Sequence, residues 1–207
     1  MFALLALAAA PLVAASLKTR QSSGAWCDGL GGAAYDVAYN FTLEAHNTST
    51  DSVGTQIVLS PASDGAGAGI FRVATYDTEP STIGSFPNFT LIHGALRANE
   101  PSAPDCAPMS LGADAGAPVS FSGNCSAPAT PAQVFCAIPS TSNAHYDLPI
   151  LALNTHEDLF SICRESASAN SSSTIAKDIL VYDATTGNDA YDHDSCYAVT
   201  LHMAGSY

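Results

Sequence analysis

Tyr39-Asn40-Phe41-Thr42-Leu43-Glu44-Ala45-His46 is the stretch that decides the fold. Apolar side chains fall at 39, 41, 43 and 45, with polar ones between them, and a period of two is the signature of a strand with one face in a core and one in water. The reading sends Tyr39, Phe41, Leu43 and Ala45 inward and Asn40, Thr42, Glu44 and His46 outward. The same alternation returns at Asn88-Phe89-Thr90-Leu91. Outward from these two segments, Gly, Pro, Ser, Thr, Asn and Asp recur every few residues, and the apolar positions alternate or form short β-branched and aromatic runs. That pattern predicts many short strands and almost no helix. Candidates are 39–46, 56–60, 70–76, 89–93, 95–98, 118–121, 133–138, 150–153, 159–163, 179–182 and 197–203. His93-Gly94 fits a tight hairpin turn, since glycine accepts positive φ. Ile179-Leu180-Val181-Tyr182 is apolar without alternation, as expected of a strand covered on both faces. Stretches 60–69, 99–116 and 166–174 read as loops. The expected architecture is all-β, a single antiparallel β-sandwich or β-barrel over residues 16–207, with a β-trefoil as the alternative.

Residues 1–15 form an apolar run without Asp, Glu, Lys or Arg, ending in Val13-Ala14-Ala15. This reads as a secretory signal peptide cleaved after Ala15, with an uncleaved signal anchor as the alternative. The run is short of the roughly 20 apolar residues that span a bilayer, and no later segment supplies them. The tail 201–207 lacks the hydrophobic stretch of a lipid-anchor signal, so no membrane anchor is expected. Export changes the meaning of the six cysteines, Cys27, Cys106, Cys125, Cys136, Cys163 and Cys196. An even count in an oxidising compartment implies bridges. Cys27–Cys196, Cys106–Cys125 and Cys136–Cys163 are the expected pairs; without a C-x-x-C spacing, a zinc site is disfavoured. Export also gives weight to five N-glycosylation triplets, at Asn40, Asn47, Asn88, Asn124 and Asn170.

The chain carries 19 acidic against 6 basic side chains, a formal net charge of −13. Such a surface repels phosphate backbones and anionic lipid, which excludes nucleic acid as an expected partner. A G-x-S-x-G elbow, an H-E-x-x-H helix and a phosphate-binding loop are all missing from the sequence, so the common motif-defined enzymes lose their support. No catalytic residue, metal ligand or cofactor is predicted. His156-Glu157-Asp158 sets an imidazole beside two carboxylates, but neighbours on a turn point apart and stay solvated. Asp183, Asp189, Asp192, His193 and Asp194 gather on one connection, where oxygen ligands could hold Ca²⁺ weakly; a solvated acidic loop is the simpler account. Trp26, Tyr76, Tyr146, Tyr191 and Tyr197 can stack on sugar rings where exposed, although aromatic residues in β-proteins usually belong to the core.

Several segments together carry a family likeness: 39–45, Gln56-Ile57-Val58-Leu59, Phe71-Arg72-Val73, 89–98, Asp158-Leu159-Phe160-Ser161-Ile162-Cys163 and Ser195-Cys196-Tyr197-Ala198-Val199-Thr200-Leu201. They resemble the small secreted proteins of mushroom-forming fungi and, more distantly, are similar in order to the PhiA-like cell-wall proteins of filamentous fungi. The resemblance implies an extracellular or wall-associated protein without an established enzymatic role, and it transfers no functional residue. The expected function is therefore that of a secreted, disulfide-containing glycoprotein, non-catalytic, meeting wall polysaccharide or extracellular protein through its loops. The alternatives are a secreted carbohydrate-active enzyme whose carboxylate pair the sequence does not locate, and a secreted effector.

Overall fold

The computed structural model describes residues 24–50, 53–62, 69–78, 88–99, 107–124, 129–140, 148–166 and 176–205. The leader 1–15, Cys106, Cys125, Tyr146, Asn170 and most of the loops expected at 60–69 and 166–174 lie outside the described residues. Twelve strands are described: β1 (Val37–Asn47), β2 (Thr55–Pro61), β3 (Ile70–Thr75), β4 (Phe89–Ile92), β5 (Ala95–Ala98), β6 (Met109–Ser110), β7 (Ser120–Ser122), β8 (Phe135–Ile138), β9 (Ile150–Leu153), β10 (Phe160–Glu165), β11 (Asp178–Tyr182) and β12 (Tyr191–Ala204). All pair antiparallel in one sheet, in the order β2-β1-β4-β5-β6-β7-β3-β11-β10-β12-β9-β8. Two further pairings, β2–β3 and β1–β12, close β1, β2, β3, β11, β10 and β12 into a ring. The architecture is thus all-β and barrel-like. The trefoil alternative does not fit: a trefoil needs three equivalent units, whereas this ring takes its strands from the first three and the last three of the chain.

One apolar core fills the ring. Phe41, Leu43, Ile57, Leu59, Val73, Phe160, Ile162, Leu180, Val199 and Leu201 are buried there, joined by Phe89, Leu91 and Phe121 from the ribbon β4–β7. The expected coverage of both faces at β11 is observed: Leu180 and Tyr182 enter this core, while Ile179 and Val181 enter a second one with Ala74, Cys163 and Tyr191 on the outer side. The β4–β5 turn has positive φ at both His93 (48°) and Gly94 (75°), which suits the right-handed twist of a two-residue hairpin.

The alternation at 39–46 holds from Phe41 onward and fails before it. Ala38 faces Leu91 and Phe41 faces Phe89, so three steps on β1 match two on β4. The extra residue is a β-bulge, with Asn40 in the left-handed region at φ 51°. Tyr39 is consequently turned out, 58% exposed, and not inward as its spacing suggested.

Two disulfides are described, and they correct the expected pairing. Cys27 bonds Cys136 and Cys163 bonds Cys196, in place of Cys27–Cys196 and Cys136–Cys163. The reason is topological. The segment before β1 runs beside β8, where Tyr35 bridges Ala137, and this brings the 3-10 turn Ala25–Cys27 to Cys136. Cys163 and Cys196 meet because β10 and β12 are neighbours across an irregular stretch: from Ile162 to Arg164 is two steps, while the facing stretch from Tyr197 to Asp192 is five. The surplus residues of β12 form a wide bulge. Ser195 Oγ in that bulge accepts the Arg164 backbone N–H at 2.8 Å, and Cys196 is tied to Cys163.

Beyond the ring, Asp36 anchors the chain before β1. It is 95% buried, and its Oδ2 accepts both the Trp26 indole N–H and the Gly24 backbone N–H at 3.1 Å. The indole lies so close to Gly24 and Gly94 that a Cβ on either glycine would fall within 2.5 Å of a ring atom. Trp26 is thereby fixed as a half-buried structural group. Tyr191 is likewise buried, its hydroxyl donating to the Thr185 carbonyl at 3.0 Å. No helix among the described residues is long and apolar enough to cross a membrane.

Candidate functional site

At one end of the ring the inward-facing positions change character together. Following each strand from its last core residue, the next inward position is Asn47 after Ala45 on β1, Thr55 before Ile57 on β2, Thr75 after Val73 on β3, Asp178 before Leu180 on β11, Arg164 after Ile162 on β10 and Tyr197 before Val199 on β12. Of these, Arg164 and Asp178 face each other directly, while Tyr197 faces Ile162, Thr75 faces Ile57 and Asn47 faces Val199, so the positions form a stepped rim. The 3-10 turn Tyr76–Thr78 follows β3 directly and is tied to the start of β11. Thr75 and Thr78 hydroxyls are 2.9 Å apart, and Thr78 Oγ1 accepts the Asp178 backbone N–H at 3.0 Å, which fixes the turn to the start of β11.

The rim carries charge and exposed rings. Arg164 Nε lies 3.6 Å from Asp178 Oδ1. Tyr76 is 41% and Tyr197 39% exposed. Partial burial raises the Tyr197 phenol above the usual tyrosine range, and the carboxylates of Asp178 and then Asp77 add to it, so both acids act on the same hydroxyl. Two flat apolar faces among carboxylates, a guanidinium and threonine hydroxyls can do two things for a ligand: stack on a pyranose and hydrogen-bond its hydroxyls.

A second polar cluster lies on the outer face of β1 and β12. Glu44 is register partner of His202, and His46 of Thr200. His46 Nε2 is 3.4 Å from Glu44 Oε2, the two imidazole centroids are 4.4 Å apart, and Thr200 Oγ1 meets His202 Nε2 at 3.1 Å. Burial, then the neighbouring His46, depresses the His202 imidazole, against a smaller opposing pull from Glu44 and the Leu148 backbone. The strand period already places Glu44 and His46 on one face; their meeting with His202 depends on the pairing of β1 with β12 at the far end of the chain and has no sequence signal.

In His156-Glu157-Asp158 the outer two side chains do not point apart as expected: His156 Nδ1 and Asp158 Oδ1 sit 3.9 Å apart on the turn after β9, and both are, as expected, solvated, each more than half exposed. Strand β12 begins at Tyr191, six residues before its predicted start, so Asp192 and Asp194 belong to a strand and not to the acidic connection that begins at Asp183. Among the described residues no group of three or more His, Cys, Asp or Glu is arranged to hold a metal ion. Asn40 and Asn124 are exposed, whereas Asn47 and Asn88 are half-buried, with Asn47 Oδ1 accepting the Ser49 N–H at 2.8 Å. An apolar groove of about 280 Å³ lies at the other end of β1, lined by Tyr35, Val37, Tyr39, Phe41, Met203 and Gly205.

No protein-family model, curated protein or solved structure matches this chain.

Proposed function

We propose that the protein is an extracellular, non-catalytic binding scaffold whose open barrel rim, with Tyr76, Tyr197, Asp77, Asp178 and Arg164, takes a neutral polysaccharide of a cell wall or matrix. The observation that carries this reading is half-exposed Tyr197 within electrostatic reach of Asp178 and Asp77, with Arg164 paired to Asp178 and half-exposed Tyr76 on the turn that Thr78 ties to the start of β11. Exposed aromatic faces supply apolar contact to the C–H face of a sugar at low entropic cost, and the carboxylates and guanidinium supply directional hydrogen bonds to hydroxyls. Acidic net charge favours a neutral polymer over an anionic one. The two disulfides are compatible with an oxidising exterior, and the apolar leader read in residues 1–15 accounts for how the chain would reach it. The likeness to small secreted and PhiA-like fungal wall proteins points to the same setting.

A pull-down of the purified chain on insoluble chitin, β-glucan and intact fungal walls, run beside a glycoside-hydrolase screen on the same polymers, tests it. Retention without release of reducing sugar is the expected result. Turnover would establish the enzymatic alternative, with Asp77 and Asp178 the first carboxylates to substitute.

A further inference from the structure

The β1 bulge exposes both Tyr39, which lines an apolar groove, and the glycan acceptor next to it in the chain, and we propose that Asn40 carries an N-linked glycan whose first N-acetylhexosamine is seated against Tyr39 in that groove. The inference rests on the export reading, since the sugar is added in the secretory route. Its geometry is independent of that reading. In a regular strand Tyr39 and Asn40 would lie on opposite faces; the single extra residue between Ala38 and Phe41 exposes both. Tyr39 becomes the most exposed large apolar side chain held in any described strand, 58% open to solvent, at the edge of a groove of about 280 Å³ floored by Phe41 and Met203. Asn40 holds φ 51°, a conformation asparagine accepts more readily than other side chains bearing a Cβ. The triplet Asn40-Phe41-Thr42 is intact.

The occupant is specified by covalent placement. A hexosamine on Asn40 is within one residue of the Tyr39 ring, so its encounter with the groove is intramolecular and needs no affinity of its own. Its apolar C–H face and acetyl methyl match a cavity lined by tyrosine, valine, phenylalanine and methionine, while its hydroxyls remain in water. Among the described residues the other acceptors lack this setting: Asn47 and Asn88 are half-buried, and Asn124 precedes a cysteine. The sugar then acts as part of the fold, covering apolar surface that the described residues leave open.

The test uses the full chain with Asn47, Asn88, Asn124 and Asn170 each changed to Gln, secreted from a glycosylating eukaryotic host behind a foreign leader and, in parallel, behind its own residues 1–15. Peptide mapping after amidase treatment in heavy-oxygen water reads Asn40 occupancy. Thermal melts compare the intact glycan, a form trimmed to one N-acetylglucosamine, and a form stripped of all sugar by the amidase, which leaves at position 40 a short aspartate side chain that also accepts the positive φ. Expected are an occupied Asn40, a trimmed form that melts with the intact one, and a loss of about 3 °C in the stripped form. In a Tyr39→Ala background the same comparison should show no loss. An empty Asn40 in protein exported by the foreign leader, an unchanged melt without the sugar, or a loss that persists in Tyr39→Ala would each overturn the proposal. Export by the foreign leader alone counts against residues 1–15 as a signal peptide and leaves the Asn40 result standing.

Discussion

Arg164 and Asp178 face each other across the β10–β11 pair, and their side chains meet at 3.6 Å on the rim of the ring. Because Arg164 is 61% exposed, water and salt screen the pair, and its contribution to folding is small, about 0.5 kcal/mol. Asp178→Asn should therefore leave the urea midpoint nearly unchanged while weakening retention on polysaccharide severalfold. Paired denaturation and binding isotherms on the same preparation check both halves.

The Asp36 carboxylate serves two donors from a site that is 95% buried. Asp36→Ala leaves the Trp26 indole N–H and the Gly24 N–H without their acceptor, and each orphaned buried donor costs about 1–3 kcal/mol. A loss of about 2–4 kcal/mol in urea unfolding is expected. Gly94→Ala should also destabilise, since its φ of 75° is strained for alanine and the new methyl would meet the indole.

The period of two made most strands legible, and apolar runs bounded by Gly, Pro and Asn fixed their ends to within a few residues. Phe41, Leu43 and Ala45 lie inside as their spacing requires, and Ile179 to Tyr182 divide between two cores. Tyr39 escaped because a bulge is set by the mismatch between β1 and β4, which a single strand's pattern does not record. The disulfides escaped for a related reason: adjacency of Cys27 to β8 and of Cys163 to β12 is a property of strand order. The candidate rim is legible in part. Tyr76 and Tyr197 are aromatic candidates in the sequence, but the approach of Tyr197 to Asp178 and Asp77 follows from the pairing of β12 with β10 and β10 with β11, which the sequence does not record. Strand β6, two residues long at Met109–Ser110, has too few residues to show a period.

Non-reducing peptide mapping should recover Cys27 linked to Cys136 and Cys163 linked to Cys196. With 109 and 33 residues between partners, loop-closure entropy alone assigns about 5 and about 4 kcal/mol to the two bridges. Cys163→Ser with Cys196→Ser should lower stability by up to that amount and loosen the β12 bulge beside Tyr197.

His202 gives a pH signature. Its imidazole is depressed in the folded protein relative to the ordinary value of about 6.5, so on acidification the unfolded chain takes up the proton first. Stability should then fall as pH drops below about 6.5 and stop responding to this group once the lower folded value is passed. His46 and Glu44 are the titratable neighbours on the same face. Urea midpoints for His202→Gln between pH 7 and 5 should show a shallower decline than the parent protein.

Affinity electrophoresis in gels cast with soluble β-glucan or glycol chitin tests the rim most directly. The parent chain and Tyr39→Ala should be retarded alike, and Tyr76→Ala with Tyr197→Ala should migrate as in a sugar-free gel while keeping the parent near-ultraviolet circular dichroism. Equal retardation of the double variant, or free migration of the parent chain in both polymers, would contradict a carbohydrate site at the open end of the ring.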